Sequence, residues 1–221
     1  MSGLDLKKKY EKDYFSNRNS DKKRMLSYHI EYEKILSYVK GGSVLDIGCG
    51  LGEFLELFGK DWNKYGIEIS QYASSISERK NIKMIDFDFD FNSMDLIIFR
   101  GTIQHLDKPL WSIQKCINML KPNGYIVFLA TPNTNSIYYR LFKSLPALDP
   151  KRNFMLPSDK MLKQILENLG LSVIEIRYPY RNTPYSNLLL DHLNFLLKLI
   201  GFDRNFAFWG NMMECYAKKP G

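Results

Sequence analysis

The chain has 221 residues, of which 45% are apolar and 25% charged, and its formal charge is +7. A chain of this size buries about 70% of its unfolded surface, and this composition excludes wholesale disorder, collagen and a disulfide scaffold. Three widely spaced cysteines, Cys49, Cys116 and Cys215, give neither a disulfide framework nor a zinc spacing and fit a reducing compartment. The charge is uneven: residues 1–40 carry 10 Lys+Arg against 6 Asp+Glu, residues 41–130 carry 9 against 11, and residues 131–221 carry 12 against 7. A basic excess at both ends suggests an anionic partner. No long Lys/Arg run, zinc finger or aromatic RNA-binding signature points to nucleic acid. No run of 18 apolar residues suggests a membrane span, and the charged start MSGLDLKKKYEKDYF lacks a signal peptide's apolar stretch, so a cytoplasmic location is expected.

In chain order, residues 1–40 read as a polar start followed by a helix, with Met25, Tyr28, Ile35 and Val39 near helical spacing. Val44-Leu45-Asp46-Ile47 reads as a short buried strand bounded by glycines, and Glu53 to Phe58 as the opening of a helix. KYGIEIS supplies a second strand ending at Glu68. A helix over SQYASSISERK follows, with Ser70 as its N-cap. Residues 83–85 and 94–99 are strands three and four. LWSIQKCINMLKPNG is a helix stopped by Pro122 and Gly124, and YIVFLATPN is a fifth strand ending near Thr131. Residues 132–157 read as irregular. SDKMLKQILENLG is a helix capped by Ser158 and stopped by Gly170, and LSVIEIRYPY is a sixth strand. Residues 186–200 form an apolar helix that reads as a lid or a homodimer face, and AFWGNMMECYAKK is the last strand. The alternation predicts a single α/β domain over 1–221 with a mostly parallel, Rossmann-like sheet covered by helices on both faces. Long connections after strand five usually cap a site.

The chemistry-bearing segment is Val44-Leu45-Asp46-Ile47-Gly48-Cys49-Gly50-Leu51-Gly52, running from a strand through a glycine loop. Glycines let a ligand approach the backbone, and a helix start presents free N–H groups. A dinucleotide fingerprint would place its third glycine at position 53, which is Glu here. Asp46 at the strand end suits a ligand with a positive centre better than a pyrophosphate. Glu68, 18 residues after Gly50, can accept both hydroxyls of a ribose.

This series resembles the class I S-adenosylmethionine-dependent methyltransferases, through VLDIGCGLG, Glu68, Asp86-Phe87, MDLIIF, QHLDKP and LKPNGYIVFLATPN in the family's order. The likeness runs from Val44 to Asn133 and is nearest the branch of ubiquinone-type and polysaccharide-modifying small-molecule enzymes. It implies a seven-stranded sheet with an antiparallel last strand and helical lid insertions, with S-adenosylmethionine as cofactor. The residues 1–40 become a helical cap, 41–131 the cofactor half, and 132–157 with 179–205 the acceptor-side insertions. Gly48, Cys49 and Gly50 would line the methionine half, with Asp46 facing the amino group directly or through water. Glu68 would hold the ribose, Ile69 and Phe87 would pack by the adenine, Asp86 would accept from its amine, and Arg100 with Gly101 would border the sulfonium. Asp88 and Asp90 compete with Asp86, because DFDFDF repeats its acids every second residue.

A hydroxyl acceptor needs a base, and His105 is the candidate. His29 and His192 read as packing residues. Metal-binding relatives carry a Glu-x-x-Glu-His pattern where this chain has Gly101, Gln104 and His105, so no metal is expected. Tyr14, Tyr138, Arg140 and Arg181 are the acceptor-site candidates, since Arg paired with Tyr suits a phosphate or carboxylate. The leading expectation is O-methylation of a small anionic acceptor such as a sugar nucleotide, a phosphorylated intermediate or a surface-polysaccharide precursor. A lipophilic quinone-type acceptor and a catalytically silent cofactor-binding subunit are the alternatives.

Overall fold

A computed structural model describes residues 15, 22–145, 148, 153–181 and 183–221. Its frame is one seven-stranded sheet of order β3-β2-β1-β4-β5-β7-β6. The strands are β1 (Gly42–Ile47), β2 (Trp62–Ile67), β3 (Lys83–Met84), β4 (Met94–Arg100), β5 (Leu120–Pro132), β6 (Ser172–Arg177) and β7 (Met212–Lys218). β1 to β5 pair in parallel, while β7 lies antiparallel between β5 and β6.

Successive strand side chains point to opposite faces, so a strand buried on both must be apolar at nearly every position. Leu45, Ile47, Ile97, Phe99, Ile126, Phe128, Met213 and Cys215 fill one core. Their neighbours Val44, Leu96, Ile98, Val127, Leu129 and Tyr216 fill the other. The first core is covered by α3 (Pro109–Met119) through Ile113, Cys116 and Ile117, and by α5 (Asp159–Asn168) through Leu162 and Leu166. The second is covered by α1 (Lys22–Leu36) through Tyr28 and Ile35, with Phe54, Leu55 and Phe58 beside it. α2 (Gln71–Arg79) begins at Ser70, whose hydroxyl accepts from the Ala73 N–H at 3.3 Å. The hydroxyls of Ser158 and Ser136 accept in the same way from Met161 and Tyr139.

Three local readings need correction. The helix expected from Glu53 is a single 3₁₀ turn, Leu55–Leu57. Gly52, at φ 75°, and Gly59 bracket it, and β2 opens at Trp62, leaving no length for an α-helix. α3 stops at Met119 instead of running to Gly124, because Leu120 already pairs with Met94 as the start of β5. Pro122 is tolerated where the register shifts. Within the irregular 132–157 stretch lies α4 (Ile137–Phe142), too short to show a helical period.

α6 (Leu188–Leu199) is capped by Asn187, and Asp191 is its one buried residue; Leu189, Leu193 and Leu196 face outward. It seats Phe195 on Phe208, with rings stacked at 4.5 Å, beside a satellite core of Tyr138, Leu145 and Phe206. No helix among the described residues is long and apolar enough to cross a membrane.

Candidate active site

A cavity of about 750 Å³ opens where β1, β2, β4 and β5 end. One wall is backbone. Gly48 and Cys49 donate their N–H groups to the Ile67 carbonyl at 2.7 and 3.3 Å, which presses the glycine loop onto the end of β2. Gly48 (φ 76°) and Gly50 (φ 57°) occupy the left-handed region, where a side chain is strained. A Cβ at Gly48 would stand 2.8 Å from Thr102 Cγ2, whereas one at Gly50 would meet only Phe15, at 3.5 Å. Gly50 therefore offers its bare backbone to the cavity.

Glu68 joins this loop to the next element. Its Oε2 accepts from the Gly50 N–H at 2.9 Å and its Oε1 from the Ser70 N–H at 2.8 Å. A carboxylate oxygen has two acceptor sites, so each keeps one for a ligand. Asp46 lies beneath the loop, 3% exposed, and its Oδ1 has no hydrogen-bond partner. Burial pushes its carboxyl up to about 8, against the opposing pull of the Arg100 guanidinium, with Glu68 and Glu31 raising it further. Arg100, at the end of β4, donates from Nε (2.6 Å) and Nη2 (3.2 Å) to the Glu31 carboxylate of α1 and lies 4.2 Å over the Tyr28 ring. That ion pair ties α1 across the strand ends, and Glu31 keeps Arg100 charged against the effect of burial.

After β4, Gln104 donates from Nε2 to the Gly101 carbonyl at 3.1 Å, which fixes its amide orientation, since a carbonyl only accepts. The same Nε2 lies 3.3 Å from His105 Nε2, which by hydrogen-bond logic makes that ring nitrogen the acceptor. Gln104 Oε1 is left buried without a partner at the cavity wall. Opposite β4, Ala130 takes φ 45° where the β5–β7 register shifts, and it too lines the cavity. A left-handed non-glycine residue at a bulge is a strained feature of the kind that re-aims a strand beside a site.

The remaining wall comes from the β6–α6 loop and the start of β7: Pro179, Tyr180, Tyr185, Phe208, Asn211 and Glu214. Tyr180 donates its hydroxyl to Asp191 Oδ2 at 3.0 Å, and the Asn187 N–H donates to the same oxygen at 2.7 Å. Burial and that carboxylate push the phenol up to about 12. Glu214, 2% exposed, accepts from Tyr216 Oη at 2.8 Å and from Arg177 Nη1 at 3.3 Å. Asn211 is 4% exposed, and neither its Nδ2 nor its Oδ1 has a partner. Each unmet buried polar group costs about 1–3 kcal/mol.

Of the positions read from the sequence, Gly48, Gly50, Glu68, Ile69, Phe87, Arg100, Gly101 and His105 line this one cavity. Asp46 sits behind the wall. Cys49 turns its thiol into the core, where a Cβ on Gly66 would lie 2.6 Å from Sγ. Burial pushes that thiol above its ordinary range, so it is no nucleophile. The Asp86 carboxylate is exposed away from the cavity and accepts from the Asp88 N–H at 2.9 Å. Asp88 pairs with Lys115. Tyr138 is fully buried in the satellite core and donates to the Arg204 carbonyl at 3.3 Å. Arg140 is exposed and bound to Asn135 Oδ1 at 2.6 Å, and exposed Arg181 stands 6.0 Å from the Trp209 ring centre. None of these three lines the cavity. Tyr14 lies outside the described residues. Among the described residues no three His, Cys, Asp or Glu side chains converge to hold a metal ion. Glu31, Gln104, Tyr180, Phe208, Asn211 and Glu214 were not legible as site residues. The one available signal was the presence of Asn211 and Glu214 in the otherwise apolar run AFWGNMMECYA.

The cavity is large enough for a nucleoside with an amino-acid tail beside a small acceptor. An open glycine backbone, a carboxylate with spare lone pairs and the unpartnered Gln104 Oε1 fit a ligand that carries ribose hydroxyls and a cationic amine.

A family model described as "Methyltransferase domain" matches residues 16–176. The chain is similar to a malonyl-[acyl-carrier protein] O-methyltransferase of Halalkalibacterium halodurans, at 28% identity over 58% of this chain and 55% of that protein. It is also similar to a ubiquinone biosynthesis O-methyltransferase of Vibrio cholerae, at 24% identity over 57% of this chain and 59% of that one. The chain spans about half the length of the curated relatives it matches. Its fold matches the crystal structure of a SAM-dependent methyltransferase from Archaeoglobus fulgidus with a TM-score of 0.61, 21% identity, and 93% and 98% of the two chains covered. A putative methyltransferase from Bacillus halodurans gives a TM-score of 0.64 at 14% identity, with 87% and 98% covered.

Proposed function

Because the chain belongs to the class I S-adenosylmethionine-dependent methyltransferases, we propose that it takes that cofactor in the glycine-loop half of the cavity and methylates a hydroxyl held in the other half. The observation that carries this reading is a single cavity walled by Gly48, Gly50 and Glu68 on one side and by Tyr180, Phe208 and Asn211 on another. When bound, S-adenosylmethionine supplies an electrophilic methyl group on a sulfonium. Glu68 accepts the ribose hydroxyls through its spare lone pairs, Ile69 and Phe87 give apolar surface to the base, and Gln104 Oε1 accepts from the amine. His105 takes the hydroxyl proton at Nε2 once the acceptor hydroxyl displaces the Gln104 N–H from that lone pair, and Arg100 with Glu31 closes the α1 side against water. The relatives named as O-methyltransferases support oxygen as the accepting atom.

The nature of the acceptor follows from the wall. Among the described residues, the cavity lining carries Arg24 and Arg100 against Glu31, Glu68, Asp107 and Glu214, with no excess of positive charge. Glu31 takes up Arg100, and Glu214 takes up Arg177 behind it. We therefore favour the lipophilic, uncharged acceptor over a phosphorylated or sugar-nucleotide one. Transfer of radiolabelled methyl by purified protein tests this, with uncharged hydroxyarenes and sugar phosphates compared at roughly 0.01 M and 0.15 M salt. Turnover on the hydroxyarenes that is insensitive to salt is expected. Turnover confined to the phosphates, with kcat/KM falling as salt rises, would restore the anionic reading. Cofactor binding without any transfer would favour a silent subunit.

A further inference from the structure

The outward face of α6 carries no charge. Leu189, Leu193, Leu196 and, at the helix end, Ile200 are 85%, 52%, 60% and 73% exposed. Their spacing of four, three and four residues draws one apolar seam along the helix, the repeat of a helix that packs on another helix. Leu190, Leu199 and Phe202, each more than half exposed, widen it. The Asp and the Lys of α6 turn the other way. Asp191 is buried and accepts from Tyr180, and Lys198 donates from Nζ to Asp203 Oδ1 and to the Arg204 carbonyl, both at 3.1 Å. From behind, Phe195 is stacked on Phe208 and stands 5.7 Å from the Phe142 ring. The helix is thus fixed on its inner side while its seam meets nothing of its own chain. A contiguous apolar patch of this kind marks an interaction surface.

None of the seam residues lines the cavity, so α6 is not a lid over it. A helix that lies in a lipid surface carries Lys and Arg on its polar side to meet headgroups, whereas the one Lys of α6 is spent on its own chain. We propose that a second copy of this chain covers the seam, in a two-fold pair of antiparallel α6 helices. Two-fold symmetry makes one patch its own complement, and antiparallel helices set their dipoles favourably. With the axis between Asn194 and Phe195, Leu193 meets Leu196 of the partner subunit and Leu189 meets Ile200 of the partner subunit. A stable dimer buries about 800 Å² per partner around an apolar centre, and the seven side chains named above supply that centre. The pairing also reaches the cavity. Asp191, on the inner side of α6, holds the Tyr180 hydroxyl and the Asn187 N–H, so a partner that fixes α6 fixes this part of the wall. Nothing in the pairing depends on which ligand the cavity takes.

Sedimentation equilibrium of the full chain at about 10 μM is expected to give twice the 25.9 kDa of one copy. Leu193→Glu combined with Leu196→Glu sets like charges against each other at the apolar centre. It should weaken the pair about a hundredfold or more and return the mass of one copy. An equimolar mixture of Leu193→Cys and Leu196→Cys chains, mildly oxidised, should form more disulfide-linked dimer than either chain alone. The native Cys49, Cys116 and Cys215 are buried and contribute none. If the glutamate variant fails to fold, this cross-link decides. A parent with the mass of one copy, a glutamate variant that stays paired, or a mixture that does not cross-link would each overturn the proposal. So would a single-copy parent that floats with phosphatidylglycerol vesicles and a glutamate variant that does not, which would give the same face to a lipid surface.

Discussion

The two halves of the cavity are made by different means. The half proposed for the cofactor is built from backbone, with the ends of β1, β2 and β4, a left-handed glycine loop and one carboxylate stitched to two N–H groups. The half proposed for the acceptor is built from side chains, with rings propped by other rings and by the buried Asp191. A backbone-built wall tolerates little change because its shape depends on φ, whereas a side-chain wall can be re-cut one residue at a time. Specificity is therefore free to vary in the second half while the first stays fixed.

The sharpest break should come at Gly48→Ala. The change strains φ 76° and drives a methyl into Thr102. It should cost about 2–5 kcal/mol of stability and abolish cofactor binding, measured by thermal melting and calorimetry. Glu68→Ala should leave the acceptor wall intact but weaken S-adenosylhomocysteine by about 1–3 kcal/mol. An unchanged affinity would move the ribose carboxylate elsewhere.

The third break uses pH. The Asp46 carboxyl lies at about 8 in the folded chain against 3.8 as the ordinary value, because burial disfavours its charge. Folding then takes up a proton between those values, so stability falls as pH rises from about 4 to about 8. Asp46→Asn should flatten that slope and melt higher than the parent at pH 8, as followed by melting in a pH series.

On the acceptor side effects should be smaller. Tyr180→Phe should leave cofactor affinity unchanged and alter the acceptor KM by about two- to fivefold, since it loosens the ring by one hydrogen bond. Smallest of all, Arg140→Ala and Arg181→Ala should change neither constant beyond about twofold, because surface side chains outside a cavity contribute little. An effect of either on the acceptor KM alone would extend the site beyond the described cavity.

This contrast also explains what could be read without coordinates. The strands, their order of appearance and the glycine loop were legible because each is local: Val44 to Gly52 is one contiguous phrase, and Ser70 and Ser158 cap the helices that follow them. The placement of Tyr138 and Arg140 outside the cavity was not legible, because α4 is only six residues long, too short for a period to tell the buried tyrosine from the exposed arginine. Asn211 and Tyr180 line the same cavity as the glycine loop through the antiparallel pairing of β7 between β5 and β6, a tertiary fact with no local signature. The 3₁₀ turn after the loop was missed because GEFLELFG has helical composition and lacks only length.

The reversed direction of β7 has a practical corollary. Met212 pairs with Pro132 at the cavity edge, while Lys218 pairs with Tyr125 at the far edge of the sheet. The chain therefore delivers Asn211 to the site and then walks away from it, so residues beyond Lys218 emerge across the thickness of the domain from the opening. A fluorophore placed on a Pro220→Cys variant should leave ligand exchange untouched, which makes the exit of β7 the natural handle for single-molecule or surface-based assays of this chain.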